Sequence, residues 1–271
     1  MEQSRPIGLF DSGIGGLTVL QEVRRLLPNE SVLYFGDTAY VPYGSRAAAE
    51  LVALGHRIID FLVGMDVKYV IFACNTSSSI SLGILRQRFR VPMVGLVEPG
   101  AAAAVRATRN GRVGLLATEA TVRAGAYERA MKSMAPDVRV FSQAAPRLVP
   151  LVEAGQMGTP AAREAVAEYL TPLLDKGIDT LLLGCTHYPF LLPEILEVSG
   201  TGLEIVDPAA ATVAEARREM ERLSLLNNPS SGGPRYSFFV SGDPEAFAHG
   251  ARTFLGFRPE VTRVYLPVKC L

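Results

Sequence analysis

Short apolar runs alternate along the chain with longer segments whose apolar residues recur at helical spacing. In the first part of the chain, buried strands are predicted at residues 7–10, 31–35, 67–73 and 92–96, and helices at residues 15–27, 46–63 and 76–88. Strands without polar alternation that are separated by helices are typical of a parallel sheet covered on both faces. The pattern therefore predicts an α/β protein.

The same alternation resumes after an alanine-rich helix predicted at residues 99–108. Further strands are predicted at residues 112–116, 138–141, 180–183 and 204–206, and further helices at residues 121–134, 160–175 and 209–223. The run 225–234 is rich in Asn, Pro, Ser and Gly and is the clearest loop. After it comes a last strand–helix–strand unit, predicted at residues 236–240, 244–255 and 261–265.

Three segments of the first half resemble three segments of the second half, in the same order and at nearly the same offset. Residues 7–12 align with 113–118, residues 70–76 with 181–187, and residues 97–99 with 206–208. We interpret this as a duplication that gives two similar lobes related by a pseudo-twofold axis, one of residues 1–97 plus 208–271 and one of residues 98–207. Ligands of open α/β sheets bind outside the carboxyl ends of the strands, so facing lobes would share one cleft.

Charge and composition exclude several classes of function. The 27 Lys and Arg residues balance the 27 Asp and Glu residues, which argues against nucleic acid as a partner, because phosphate binding needs a net basic face. No apolar run approaches the length of a membrane span, and the apolar segment at the N-terminus is too brief for a secretory signal. We therefore expect a cytoplasmic protein whose three cysteines are free thiols rather than a disulfide framework.

Two of these cysteines stand at matching positions of the repeat. Cys74 and Cys185 each end a predicted strand and are followed by small polar residues at an expected helix N-terminus, a position that lowers the pKa of a thiol. A single cysteine in a strand usually serves packing, but the repeat favours a functional pair. Thiols on opposite sides of a cleft suit a reaction that removes a proton from one face of a stereocentre and adds one to the other. Cys270, near the C-terminus, has no such context, and we interpret it as incidental.

A glycine-rich turn follows the first strand. The segment from Asp11 and Ser12 to Gly16 matches neither the dinucleotide fingerprint nor a phosphate-binding P-loop. Two interpretations stay open, a turn that binds a carboxylate through backbone N–H groups and a tight turn that merely needs small residues. Asp11 favours function, because a carboxylate at a strand end is costly to desolvate for structure alone.

Other candidate groups lie in the loops after strands. Asp37 either caps its loop or contributes to a site, while Tyr43 and Gly44 offer a hydroxyl and an unhindered N–H. His187 lies two residues beyond Cys185, where an acid–base or electrostatic role is expected. Glu153 either holds the tautomer of His187 or is an ordinary loop residue.

Neither a metal nor an organic cofactor is predicted. The chain has no Cys-x-x-Cys or His-x-x-His spacing, and none of its few lysines lies in a loop suited to a Schiff base with pyridoxal phosphate.

The motifs together resemble the glutamate racemase family over nearly the whole chain. They are IGLFDSGIGG at residues 7–16, GDTA at 36–39, VPYG at 41–44, ACNT at 73–76, LVPLVE at 148–153 and LGCTHYP at 183–189. Tyr40 departs from the basic residue often found at that position in the family. The resemblance implies cofactor-independent racemisation of glutamate, which supplies D-glutamate for peptidoglycan, by two α/β lobes that often form a homodimer.

The resemblance also implies roles for individual residues. Cys74 would act on D-glutamate with the help of Asp11, and Cys185 on L-glutamate with the help of His187 and Glu153. The implied substrate contacts are Asp11, Ser12, Asp37, Tyr43, Gly44, Asn75, Thr76, Thr186 and His187, whose donors suit the two carboxylates of glutamate.

Two rival functions remain. An aspartate racemase of the same superfamily would also use paired cysteines, and residue chemistry alone does not separate the two diacids. A two-lobed amino-acid-binding protein would also close on its ligand, although the paired strand-end cysteines count against it.

Overall fold

Two parallel sheets organise the computed structural model, which describes residues 3–228 and 233–266. In this part of the chain the strands are β1 Ile7–Asp11, β2 Val32–Gly36, β3 Tyr69–Phe72, β4 Met93–Gly95, β5 Arg112–Ala117, β6 Arg139–Ala144, β7 Thr180–Gly184, β8 Glu204–Val206, β9 Tyr236–Val240 and β10 Val261–Arg263. The first sheet has the order β10-β9-β2-β1-β3-β4 and the second β6-β5-β7-β8. Each sheet with the helices packed on it is called a lobe below.

The two sheets share one topology. The order β2-β1-β3-β4 in the first lobe matches β6-β5-β7-β8 in the second, and the strand pairs in both sheets are parallel. The correspondence places β1 opposite β5 and β3 opposite β7, as the internal alignment of the sequence does. The predicted α/β class, with two lobes built on parallel sheets, is confirmed.

Helices connect the strands and cover the sheets. They are α1 Leu17–Leu26, α2 Ala48–Gly64, α3 Asn75–Ile80, α4 Leu82–Leu85, α5 Val97–Ala107, α6 Glu119–Ala124, α7 Ala126–Met134, α8 Leu148–Glu153, α9 Pro160–Leu174, α10 Leu192–Ser199, α11 Pro208–Arg222 and α12 Pro244–Leu255. Three begin in the same way: Thr159, Asp207 and Asp243 each accept a backbone N–H of the first turn and are followed by proline. An oxygen cap and a proline at the first helical position both stabilise a helix start.

The sheets are buried on both faces. In β1, Ile7 and Leu9 pack into one apolar cluster and Phe10 into another on the opposite face. Full burial of such a side chain contributes roughly 1.5–3 kcal/mol. Strands with this environment are mostly apolar on both faces, which explains why the sequence pattern predicts them.

Some helices differ from the prediction. The helix expected over residues 121–134 is divided by Gly125, whose φ of 60° ends α6 in the left-handed region. The helix expected over residues 76–88 is divided at Ser81 into α3 and α4, in a serine-rich segment of low helix propensity. No element is predicted over residues 192–199, where the structure has helix α10, and two prolines, Pro189 and Pro193, lie in this region. In the structure they occupy the first turns of a 3-10 helix and of α10, where a missing N–H costs little.

The last strands return to the first sheet, since β9 pairs with β2 and β10 with β9. The predicted loop at 225–234 lies only partly within the described residues, and Cys270 lies outside them. In the ranges 3–228 and 233–266, no helix combines the length and apolar character that a membrane crossing requires.

Candidate active site

One cleft lies between the lobes at the carboxyl ends of β1, β3, β5 and β7. It has an empty volume of about 540 Å³, including space open to solvent. The cleft is lined by Ser12, Pro42, Tyr43, Gly44, Ser45, Cys74, Asn75, Thr76, Thr118, Glu119, Ala145, Pro146, Val149, Cys185, Thr186 and His187. Cys74 is 4% exposed and Cys185 is 6% exposed, so both thiols border this cavity while being almost closed to bulk water.

Cys74 lies two residues beyond the end of β3 and occupies the N-cap position of α3, so it stands at a strand end and a helix start as predicted. Its Sγ lies 3.9 Å from the Oγ of Ser12, and the two form a weak hydrogen bond. Burial, reinforced by the negative charge of Asp11, raises the pKa of the thiol to about 12, although hydrogen bonds from Ser77 at the helix start oppose the shift. The helix start thus acts in the expected direction, but desolvation of the thiolate outweighs it, and the net shift of the pKa is upward.

Cys185 is followed by a 3-10 turn, Tyr188–Leu191, instead of the predicted α-helix N-terminus. Its Sγ lies 3.7 Å from Nδ1 of His187. The other ring nitrogen, Nε2, lies 2.6 Å from Oε1 of Glu153, which is the last residue of α8 and not a loop residue. Burial alone would lower the pKa of His187, but the hydrogen bonds and charges of Cys185 and Glu153 outweigh it and raise the pKa well above its usual value. The geometry favours the interpretation in which Glu153 orients the imidazole.

Asp11 is fully buried beneath the glycine turn. Its Oδ2 accepts the N–H groups of Gly13 and Gly16, each at 2.9 Å, and its Oδ1 lies 3.5 Å from the hydroxyl of Thr186 in the other lobe. Two N–H groups of the turn thus bind a carboxylate of this chain itself, which leaves them unavailable to a ligand. Burial raises the pKa of Asp11, although these backbone hydrogen bonds act to lower it.

Glycines allow the lobes to meet closely. A Cβ on Gly15 would lie 2.6 Å from Nδ1 of His187, and a Cβ on Gly13 would lie 2.5 Å from Oε1 of Glu153. On the other rim, a Cβ on Gly44 would lie 2.8 Å from Cβ of Thr118. These positions need glycine because of close approach across the cleft, and the backbone at none of them has a positive φ.

Asp37 does not line the cleft and does not cap its loop. Its carboxylate accepts the hydroxyl proton of Tyr43, and burial raises its pKa. The Tyr43 hydroxyl proton is therefore already donated to Asp37, and Tyr43 is a buried residue of the cleft wall.

The structure adds the hydroxyl groups of Thr118 and Thr121, which the sequence analysis did not single out, to the predicted contact Thr76. Thr76 Oγ1 lies 2.9 Å from Thr118 Oγ1 and 3.3 Å from Thr121 Oγ1, so one hydroxyl cluster joins α3 to α6. A signal for Thr118 was present, because the internal alignment places it opposite Ser12. Asn75 and Thr186 border the cleft as expected.

No group of three or more His, Cys, Asp or Glu side chains that could hold a metal ion occurs in the part of the chain that the structure describes.

The fold and the site together define a two-lobed α/β enzyme with a pair of thiols in one interlobe cleft. A sequence model of the Asp/Glu/hydantoin racemase family matches residues 13–216. The glutamate racemase of Desulforudis audaxviator is 56% identical over 266 residues, which cover 96% of this chain and 97% of that protein. The chain therefore belongs to the Asp/Glu/hydantoin racemase family and is an isomerase.

Solved structures agree with this assignment. A glutamate racemase isoform from Bacillus anthracis superposes with a TM-score of 0.94 at 35% identity, covering 98% of this chain and all (100%) of that one. The glutamate racemase of Francisella tularensis, solved in complex with D-glutamate, superposes with a TM-score of 0.90 at 30% identity and covers 98% and 99% of the two chains.

Proposed function

We propose that this protein interconverts L- and D-glutamate by a two-base mechanism in which Cys74 and Cys185 are the acid and base. The observation that carries the proposal is the placement of both thiols at matched strand ends in one cleft. The names of the relatives, and the D-glutamate bound to the Francisella protein, support glutamate as the substrate.

In the proposed reaction one sulfur, as thiolate, takes the α-proton, so that an S–H bond forms and the C–H bond breaks. The electron pair passes into the α-carbon and its carboxylate as an enolate-like charge. The opposite thiol then gives its proton to the other face of the α-carbon and becomes the thiolate. The two sulfurs exchange protonation states in each turnover, and the reverse direction restores them.

We assign the action on D-glutamate to Cys74 and the action on L-glutamate to Cys185. The hydrogen-bonded pair of His187 and Glu153 supports an assisting role on the Cys185 side, since the imidazole contacts that sulfur. Asp11 is assigned to the Cys74 side, because its negative charge acts on that thiol and favours the protonated form, in which Cys74 donates its proton when L-glutamate is the substrate.

We propose that the substrate carboxylates bind donors that line the cleft. The residues assigned to this task are Ser12, Gly44, Asn75, Thr76, Thr186 and His187, with Tyr43 as part of the wall. Asp37 acts through its hydrogen bond to Tyr43. Such donors also stabilise the enolate-like charge.

Two alternatives are weighed against this proposal. Aspartate would fit the same chemistry, and comparison of kcat/KM for the two diacids decides between them. An amino-acid-binding protein of similar shape would bind glutamate tightly without turning it over.

Several wider properties belong to the proposal. We propose that the product supplies D-glutamate for peptidoglycan, that the enzyme is cytoplasmic and that it forms a homodimer. The lobes are proposed to comprise residues 1–97 plus 208–271 and residues 98–207, and the return of β9 and β10 to the first sheet supports that division.

The decisive experiment follows the optical rotation of L-glutamate with purified protein and no added cofactor. Rotation should decay to zero, and in heavy water the product, but not the recovered substrate, should carry deuterium early in the reaction. Cys74→Ser and Cys185→Ser should each abolish the decay, while Cys270→Ser serves as the matched control and should retain it. Full activity in either of the first two variants, or early label in recovered substrate, would contradict the two-thiol mechanism.

A further inference from the structure

A buried tyrosine hydroxyl lies at the boundary between the lobes, behind the cleft wall. Tyr127, on α7 of the second lobe, is fully buried and does not line the cleft. Its hydroxyl oxygen lies 3.2 Å from the carbonyl oxygen of Leu96, and it forms a short hydrogen bond with the side-chain amide of Asn75. Leu96 follows β4 and Asn75 begins α3, so this one hydroxyl contacts two segments that extend from the first sheet.

The chemistry of the partners fixes the direction of each bond. A carbonyl only accepts, so the single hydroxyl proton of Tyr127 goes to Leu96, and the hydroxyl oxygen accepts from the amide nitrogen of Asn75. The amide oxygen of Asn75 then accepts the backbone N–H groups of Thr186 at 3.2 Å and Cys185 at 3.3 Å. In the opposite orientation the amide nitrogen would face those two donors, which would leave all of them unsatisfied.

This chain of hydrogen bonds connects the two backbone segments that carry the thiols. Asn75 directly follows Cys74 in the sequence, and its side chain holds the backbone of Cys185. We infer that Tyr127 is a positioning residue that fixes the Asn75 amide and, through it, the placement of Cys185 relative to Cys74. The inference deepens the proposed two-thiol reaction and rests on it for its kinetic consequence.

The surroundings of Tyr127 restrict its ring to this arrangement. A Cβ added at Gly100 on α5 would lie 3.2 Å from Cε1 of the ring, so α5 packs directly on it. Burial raises the pKa of Tyr127 well above its usual value, so the hydroxyl keeps the proton that it donates to Leu96. A fixed, protonated hydroxyl is what an orienting contact requires.

The test compares Tyr127→Phe, which keeps the ring and removes the hydroxyl, with Tyr69→Phe as the matched control. Tyr69 is also fully buried and donates its hydroxyl proton to Glu219, but it is the first residue of β3 and so lies at the amino ends of the strands, whereas the cleft lies at their carboxyl ends. The first readout is amide hydrogen exchange by NMR, which needs no turnover. Exchange at Cys185 and Thr186 should become about tenfold faster in Tyr127→Phe and stay unchanged in Tyr69→Phe.

The second readout is kinetic. In Tyr127→Phe, kcat should fall about tenfold with KM within about twofold of the wild-type value, and the isotope effect with α-deuterated glutamate should rise. The isotope effect should rise because proton transfer becomes more rate-limiting, whereas loss of folded protein lowers kcat and leaves the effect unchanged. Tyr69→Phe should keep the wild-type isotope effect.

Each result decides a separate statement. Unchanged exchange at Cys185 and Thr186 would overturn the inference, and so would faster exchange combined with an unchanged kcat and isotope effect. If the wild-type protein does not racemise glutamate, the proposed function fails, while the exchange measurement still decides whether Tyr127 positions Asn75 and Cys185.

Discussion

Gly15 lies where the glycine turn of the first lobe meets the histidine of the second. A Cβ at this position would lie 2.6 Å from Nδ1 of His187 and 2.6 Å from Oγ1 of Thr186. Ordinary van der Waals contact begins near 3.4 Å, so Gly15→Ala must displace one partner, or the turn itself, by about 0.8 Å. His187 has little freedom to yield, because Glu153 holds its other nitrogen at 2.6 Å.

Such a displacement should affect catalysis more than folding. Misplacement of a catalytic group by about 1 Å costs roughly 100-fold in rate, which corresponds to about 2.7 kcal/mol in the activation free energy. Overpacking of a tight contact lowers the free energy of unfolding by about 1–3 kcal/mol, and the protein should therefore stay folded at 25 °C. We expect kcat for glutamate racemisation to fall about 100-fold in Gly15→Ala.

The assay measures kcat by polarimetry and the free energy of unfolding by urea titration on the same preparation. Gly83→Ala is the matched control, because Gly83 is exposed in α4 and an added Cβ would meet no atom within 4 Å. It should stabilise the helix by up to about 1 kcal/mol and leave kcat unchanged. If folded Gly15→Ala retains kcat within about threefold of the wild-type value, the glycine does not serve the close approach to His187.

Three other predictions concern titration and burial. At pH 8, Cys74 in the free enzyme should react with iodoacetamide far more slowly than free cysteine, because its pKa is raised to about 12, and Asp11→Asn should accelerate the reaction by removing a negative charge. Mass spectrometry of the labelled peptide measures both rates, and a wild-type rate equal to that of free cysteine would contradict the raised pKa. Because the pKa of His187 is raised, the folded state holds a proton that the unfolded state releases. The stability advantage of the wild type over His187→Gln should therefore be full below about pH 6.5 and decline as the pH rises through the folded-state pKa. Urea titrations at several pH values measure this advantage, and an increase with pH would refute the prediction. Tyr43→Phe should lower the free energy of unfolding by about 1–3 kcal/mol at pH 7, because the buried carboxyl group of Asp37 loses one of its two hydroxyl partners, Tyr43 and Ser241. A loss below about 0.5 kcal/mol would contradict that contribution.

Features set by local residue pattern were predictable from the sequence. β1 is buried on both faces and is apolar for that reason, and the repeat in the chain reappears as matching strand orders in the two sheets. The same logic located Cys74 and Cys185, since both follow strands that are apolar throughout. These conclusions needed only periodicity and the rule that parallel strands end at one edge.

Features set by packing between distant segments were not predictable. The pKa of Cys74 depends on how fully the two lobes bury the thiol, and the local residue pattern does not predict that degree of burial. In the sequence, Tyr127 has no feature that separates it from any aromatic residue of a helix, and its contact with Asn75 exists only in the folded structure. Thr118 was not singled out either, although its alignment with Ser12 in the internal repeat was a signal that could have found it.

The duplication also accounts for the difference between the two sides of the cleft. The repeat supplies a cysteine at each strand end, but the neighbouring positions have diverged: Asp11 aligns with Ala117, and Thr76 aligns with His187. One thiol therefore faces a buried carboxylate, and the other contacts an imidazole held by Glu153. In the proposed reaction the two enantiomers present the α-proton on opposite faces, and the matched strand ends of the two lobes would provide the two positions. The unequal neighbours let each thiol be tuned separately, which a strictly symmetric site would not allow.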